Sequence, residues 1–241
     1  MALPKIDVPI YELKLPSSGK VVKVRPFSVK EEKLLFMAVE SKKNEDIVNT
    51  VKQVINNCII SGEFSVDKAP FFDVDFLFIF LRAKSISESV EVNLTCNNEV
   101  EGKRCGNVFP TEMDIANCEL FKIDGLTDDI KLGGANGVKM KYPSYSLIKS
   151  FEDDDRAVDK KIKLIINSID YIYDKDGIYP AKDHSTEELK EFVEGLTEAN
   201  YKKLEFFCDN FPTFVVKLDA KCTKCGFQHS VRYTDFYDFF F

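Results

Sequence analysis

Four cysteines offer the clearest chemistry in this sequence. Cys222 and Cys225 stand three positions apart in AKCTKCGFQHSVRY, and Gly226 follows the second. Cys96 and Cys105 stand in EVNLTCNNEVEGKRCGNVFPTEM, with Gly106 in the same place but eight residues inside the pair. Each pair follows an alternating stretch and precedes an extended one, so each reads as a hairpin tip. In a metal knuckle the backbone N–H groups turn toward a thiolate, and glycine adopts the required conformation cheaply. Zinc takes four ligands in a tetrahedron, and thiolates suit it. Cys96, Cys105, Cys222 and Cys225 therefore form a candidate structural Zn²⁺ site, assembled as a zinc ribbon is from two hairpins. The pairs lie more than a hundred residues apart, so the ion would join the N-terminal half to the C-terminal half. Its binding energy would then become folding energy. Four thiolates leave no position for a reactive water, which makes the expected role structural. A redox Cys-x-x-C normally opens a helix whose N-terminus lowers the thiol pKa, whereas this one sits in a hairpin.

The other reactive side chains point to no catalyst. Cys58, Cys118 and Cys208 read as buried hydrophobes. His229 follows the second knuckle by four residues; it is available as a substitute ligand, though four sulfurs already suffice. His184 reads as a solvated loop residue. With two histidines in all, acid–base chemistry has few carriers. Glu152 to Asp155 is an acidic run without the ligand order of a calcium loop, and Asp174-Lys175-Asp176-Gly177 starts like such a loop but has no Glu at its twelfth position. Gly133-Gly134 precedes no helix with a phosphate-binding lysine. No enzyme is expected.

Composition narrows the class further. The 241 residues are 44% hydrophobic and 30% charged, which suits a folded protein of one large domain or two small ones. A net charge of −7 and a pI near 5.1 oppose non-specific binding to phosphate backbones. Lys20, Lys23, Arg25, Lys30 and Lys33 cluster near the first hairpin, where they read as a solvated face. A zinc-ribbon nucleic-acid-binding or regulatory protein, with a basic face there or over Lys221 to Arg232, is the rival reading. The opening MALPKIDVPIYELKLPSSGK has prolines and charges where a targeting core would be apolar, and no run is long enough to span a bilayer. A cytoplasmic protein is expected, where paired cysteines favour metal over disulfide.

The elements that must position these residues alternate in kind. Residues 8–27 predict two strands around Pro16-Ser17-Ser18-Gly19. Ser28 and Glu31 have capping-box spacing before SVKEEKLLFMAVES. NEDIVNTVKQVINNCII predicts an amphipathic helix with Ile47, Val51, Val54, Ile55 and Cys58 on one stripe. A third helix, Asp73 to Lys84, is apolar nearly all round and should be deeply buried. The first cysteine hairpin follows, then short strands over 119–142 with turns at Gly133-Gly134 and Asn136-Gly137. A second helical block holds DRAVDKKIKLIINSI, a helix capped by Ser185 with Glu188, and one opened by Thr197. The expected class is α+β: helical blocks with β-hairpins, divided as 1–92, 93–142, 143–212 and 213–241 and folding as one unit. The chain contains 21 Phe and closes on YDFFF. Those rings either tuck against the core or dock on a partner.

LPSSGKVVKVRPFSVKEEKLLFMAVES, the INNCI helix, and FDVDFLFIFLRAKSISESVEV leading into a cysteine hairpin resemble the T4-like bacteriophage baseplate hub family, which takes in hub subunits and hub assembly proteins. The likeness is closest over residues 9–110 and follows in outline beyond them. It implies a non-enzymatic part in building the central hub of a contractile tail. Its partners would be other baseplate hub and tail proteins, or further copies of this chain. It also implies residence in the host cytoplasm during assembly and a place in the virion baseplate.

Overall fold

In the computed structural model, which describes residues 7–149 and 157–234, the alternation at the start of the chain becomes an antiparallel hairpin. β1 (Tyr11–Lys14) pairs with β2 (Val21–Val24), and Gly19, at φ 69°, takes the left-handed turn position. α1 (Val29–Glu40) starts at Ser28, whose backbone N–H donates to Glu31 Oε2 at 2.8 Å. α2 (Asn44–Cys58) buries Val51, Val54, Ile55 and Cys58 of the predicted stripe, while Ile47 in its first turn is only half-buried. The helix was expected to run through Ile60. Instead Ile59–Ser61 forms β3, the third strand of the sheet β1-β2-β3. The exit is set by tertiary pairing: the Arg25 N–H donates to the Cys58 carbonyl at 2.9 Å, and Val24 faces Ile59. β-branched isoleucines accept that geometry readily.

α3 (Phe71–Ser85) is buried on most of its surface, including Phe72, Leu77, Phe78 and Leu81. Its polar residues tie it to the first hairpin. The Ser17 N–H donates to Asp73 Oδ1 at 2.9 Å, and the Phe27 N–H donates to Ser85 Oγ at 2.9 Å. β4 (Ser89–Thr95) then leads to Cys96. A two-strand finger follows, β5 (Glu99–Val100) with β6 (Lys103–Arg104). β7 (Val108–Asp114) returns antiparallel to β4, and β8 (Glu119–Phe121) follows.

The chain divides into two compact units. The first holds, of the described residues, 7–66, 72–121 and 213–234; the second holds 67–71, 122–149 and 157–212. In the second unit β9 (Asp129–Gly133), β10 (Asn136–Met140), β11 (Ile169–Tyr173) and β12 (Ile178–Pro180) form an antiparallel sheet in the order β12-β11-β10-β9. α4 (Tyr145–Lys149), α5 (Ala157–Asn167), α6 (Thr186–Glu194) and α7 (Glu198–Asp209) complete it. Its core gathers Val138, Met140, Ile165, Ile169, Leu204 and Phe207. α6 opens with a full capping box, Ser185 N–H to Glu188 and Glu188 N–H to Ser185 Oγ. Thr197 occupies the N-cap of α7 without a side-chain bond.

Two local expectations change in this unit. The β9–β10 turn is Gly134-Ala135, because Gly133 pairs with Asn136, so Asn136 and Gly137 belong to β10 rather than to a turn. Gly137 leaves room for a tyrosine: a Cβ there would lie 2.1 Å from Tyr173 Oη, so a larger residue would push that ring aside. α5 was expected to continue to Ile169. It ends at Asn167, because the Ser168 carbonyl accepts from Lys141 N–H at 2.7 Å and Ile169 pairs with Met140.

The chain re-enters the first unit through β13 (Thr213–Lys221), which carries β14 (Gln228–Tyr233) on one side and β8 on the other. Phe121 and Thr213 are cross-strand partners. The second unit is therefore inserted between two neighbouring strands of the first, where an insertion disturbs little. Among the described residues no helix is long and apolar enough to cross a membrane. The acidic run 152–155 and the YDFFF end lie outside the described residues.

Glu31 is the charged residue on which the first helix entry depends. It is 5% exposed and accepts from Arg25 Nη2 at 3.0 Å. Burial alone would raise its pKa, but Arg25 and Ser28 outweigh that and lower it from 4.5 to about 2. The pair thus stabilises the fold above pH 4.5 and loses its contribution as pH falls toward 2. Glu31→Gln should cost about 1–3 kcal/mol at pH 7, and urea unfolding should show the gap narrowing as the pH drops through that window. A gap that stays constant down to pH 2.5 would mean that the carboxylate charge contributes nothing.

Candidate metal centre

The two knuckles are closed by the same pair of backbone bonds. In the first, the Cys96 N–H donates to Asn107 O at 2.8 Å and the Gly106 N–H to Cys96 O at 3.0 Å. In the second, the Cys222 N–H donates to Phe227 O at 2.9 Å and the Gly226 N–H to Cys222 O at 3.0 Å. Gly106 and Gly226 sit at φ 61° and 75°, the left-handed region expected of the Cys-Gly step. The long first loop is accounted for by a third bond. The Cys105 N–H donates to Asn98 O at 2.8 Å, which pinches off residues 99–104 as the β5–β6 finger. What remains, Cys96-Asn97-Asn98 and then Cys105, has the geometry of a Cys-x-x-C.

All four sulfurs come together. They lie within 4.8 Å of one another, with Cys96 Sγ 3.6 Å from Cys225 Sγ and Cys105 Sγ 4.0 Å from Cys222 Sγ. A tetrahedral ion with arms of about 2.3 Å holds its sulfurs about 3.8 Å apart, whereas a disulfide needs about 2.05 Å. The spacing fits metal coordination, and none of the seven cysteines is in a disulfide. Cys96 and Cys222 are buried; Cys105 and Cys225 are partly exposed. Both pairs belong to the first unit. The halves that the sequence analysis expected to be joined are thus the first and last stretches of one unit, with residues 122–212 inserted between them.

Polar groups around the sulfurs favour thiolates unevenly. The Cys225 backbone N–H, with further help from Lys224 and Asn107, pulls Cys222 down to about 6 despite burial. The Phe227 N–H pulls Cys225 down as well. Burial pushes Cys96 up to about 12. A coordinated thiol loses its proton outright, so a cation would erase this difference. Asn98 Nδ2 donates to Cys225 Sγ at 3.7 Å and Asn107 Nδ2 to Cys222 Sγ at 3.6 Å. His229 is buried, with Nε2 3.3 Å from Cys96 Sγ. It stands beside a sulfur rather than replacing one, and in its Nε2-protonated form it donates to a Cys96 thiolate. Outer donors of this kind orient metal ligands. The two asparagines had no sequence signal of their own; only their places beside the cysteines could have suggested them.

The remaining candidates are placed plainly. Cys58 and Cys208 are buried, and Cys118 is half-buried. Burial pushes their thiols up to about 11, 12 and 12 respectively, as befits packed hydrophobes. His184 Nδ1 lies 3.8 Å from Glu188 Oε2 at the start of α6. In the Asp174 turn, Asp174 Oδ1 accepts from the Asp176 and Gly177 N–H groups.

A family model described as T4 bacteriophage base plate protein matches residues 8–241. The chain belongs to that family. No curated protein and no solved structure matches it. The match extends the resemblance read from residues 9–110 across both units of this phage baseplate protein, including both cysteine hairpins.

The pinched finger has a direct consequence. A baseplate protein lacking residues 99–104 should keep its fold and its four-sulfur cluster, because Asn98 and Cys105 already meet. Its melting temperature should move by only a few degrees, about what a short surface loop contributes. Loss of folding would show instead that the finger shapes the knuckle.

Proposed function

We propose that this protein is a non-enzymatic structural or assembly component of the baseplate hub, acting through protein–protein contacts and stiffened by one zinc ion. Family membership over residues 8–241 carries the baseplate part of this reading. The hub assignment rests on the RPFSVKEEK stretch and the helices that follow it. The four-sulfur cluster supports a closed structural site, which holds chain segments together and offers no place for a substrate.

The surface chemistry favours protein contacts over nucleic acid. Three members of the basic cluster are already matched by carboxylates: Lys20 with Glu63 at 3.3 Å, Lys23 with Glu12 at 2.7 Å, and Arg25 with Glu31 at 3.0 Å. Paired cations release few counterions from a phosphate backbone. Exposed Phe36, Met37, Phe206 and Phe227 offer the apolar area that protein interfaces use.

Elemental analysis of protein purified without chelator or metal-affinity tag should find one zinc per chain. Cys105→Ser and Cys222→Ser should each lower the melting temperature sharply. The double variant should melt near either single variant, because all four thiolates share one ion. Additive losses, or no metal in the wild type, would remove the shared site.

A phage with a stop codon in this gene tests the role itself. It should accumulate incomplete baseplates in infected cells, visible by electron microscopy, and complementation should restore tails. Complete tails without the protein would overturn the hub reading.

A further inference from the structure

The two knuckles hold each other by more than their sulfurs. Asn98 and Asn107, from the first, reach the second through their side-chain amides. Asn98 Nδ2 donates to Cys225 Sγ, and Asn107 Nδ2 donates to Cys222 Sγ and, at 3.0 Å, to Thr223 Oγ1. These bonds need no ion, so they keep the knuckles face to face when one leaves.

Two sulfur contacts run from one knuckle to the other, and together they use each cysteine once. Cys96 Sγ lies 3.6 Å from Cys225 Sγ, and Cys105 Sγ lies 4.0 Å from Cys222 Sγ. Shortening either to a disulfide bond of about 2.05 Å takes a movement of about 1.5–2 Å, which side-chain rotation can supply. A bond inside the second knuckle is less accessible. Cys222 Sγ accepts from the Cys225 and Lys224 N–H groups, and Cys225 Sγ accepts from the Phe227 N–H. Each sulfur is held against its own turn, and joining Cys222 to Cys225 would pull both away from those donors.

We propose, on the reading of the cluster as a zinc site, that a hydroperoxide releases the metal and leaves two disulfides, Cys96–Cys225 and Cys105–Cys222, which keep the first unit closed without an ion. The bonded residues are 129 and 117 positions apart, so both bonds close loops that contain residues 122–212. Two molecules of hydrogen peroxide suffice. Each accepts two electrons as its O–O bond breaks. Four thiolates become two disulfides, four hydroxide ions form, and Zn²⁺ leaves with its oxidation state unchanged. A dithiol reductant with Zn²⁺ reverses the change. The Cys-x-x-C spacing taken alone would pair Cys222 with Cys225 instead.

The test is a titration of the zinc-loaded, full-length protein with hydrogen peroxide, ended with catalase and iodoacetamide. A chromogenic chelator reads zinc release, and mass spectrometry of unreduced peptides reads the disulfides. One zinc should leave as two disulfides form within a single chain, joining Cys96 to Cys225 and Cys105 to Cys222. Cys58, Cys118 and Cys208, free in the structure, should remain thiols. The oxidised, zinc-free protein should melt above the reduced, zinc-free protein, and a dithiol should abolish the difference. A Cys222–Cys225 bond, any other connectivity, bonds between chains, or sulfinic acids in their place would overturn the proposal and leave the zinc site standing. Purified protein that holds no zinc, even if it forms the same two bonds, would remove the shared ion and with it the release step.

Discussion

Four sulfurs meet within 4.8 Å, two from the stretch of chain before residues 122–212 and two from the stretch after them. A cation shared by all four would constrain the whole first unit. The β4–β7 hairpin and the β13–β14 hairpin each close a knuckle with matching backbone bonds, and the two knuckles must face each other. Cross-linking a loop of roughly a hundred residues removes about 4–5 kcal/mol of unfolded-chain entropy. Structural zinc binding of about 10–16 kcal/mol at neutral pH is larger. The ion's coordination energy, more than loop closure, would then dominate the stability of this unit.

The insertion is compatible with that closure because of one strand pairing. Phe121 and Thr213 sit side by side in β8 and β13, so residues 122–212 leave and return at adjacent points. The inserted unit has its own apolar core around Ile165, Ile169 and Phe207 and its own antiparallel sheet. The first unit depends less on a continuous sheet. Its small sheets are tied by partly buried polar contacts, Asp73 to Ser17 and Glu31 to Arg25, which connect helices to the first hairpin and the residue after it. Such contacts are costly to leave half made, so they specify where each helix begins.

The cysteine site was legible to an unequal degree. The Cys-Gly steps, the left-handed glycines and the likeness between the two hairpins follow from local sequence, because backbone sterics act over a few residues. The eight-residue spacing of Cys96 and Cys105 looked like a departure and proved to be a short hairpin inserted into a Cys-x-x-C. No local rule announces the bond from Cys105 N–H to Asn98 O. The approach of Asn98, Asn107 and His229 to particular sulfurs arises only when both knuckles face one another.

The entries of α1 and α6, the buried stripe of α2, the burial of α3 on most of its surface, and the α+β class were determined by the sequence itself, through capping chemistry and hydrophobic period. The exits were not. Cys58 ends α2 and Asn167 ends α5 because a neighbouring strand offers hydrogen bonds there, and helical propensity yields to that pairing. Gly137 likewise reads as a turn residue until Tyr173 is seen across the strand. The division into two units, with one inserted in the other, was also decided only in three dimensions. Long-range pairing between residues almost a hundred positions apart leaves no mark on local pattern, whereas the four cysteines that the fold brings together are visible in the sequence as residue types.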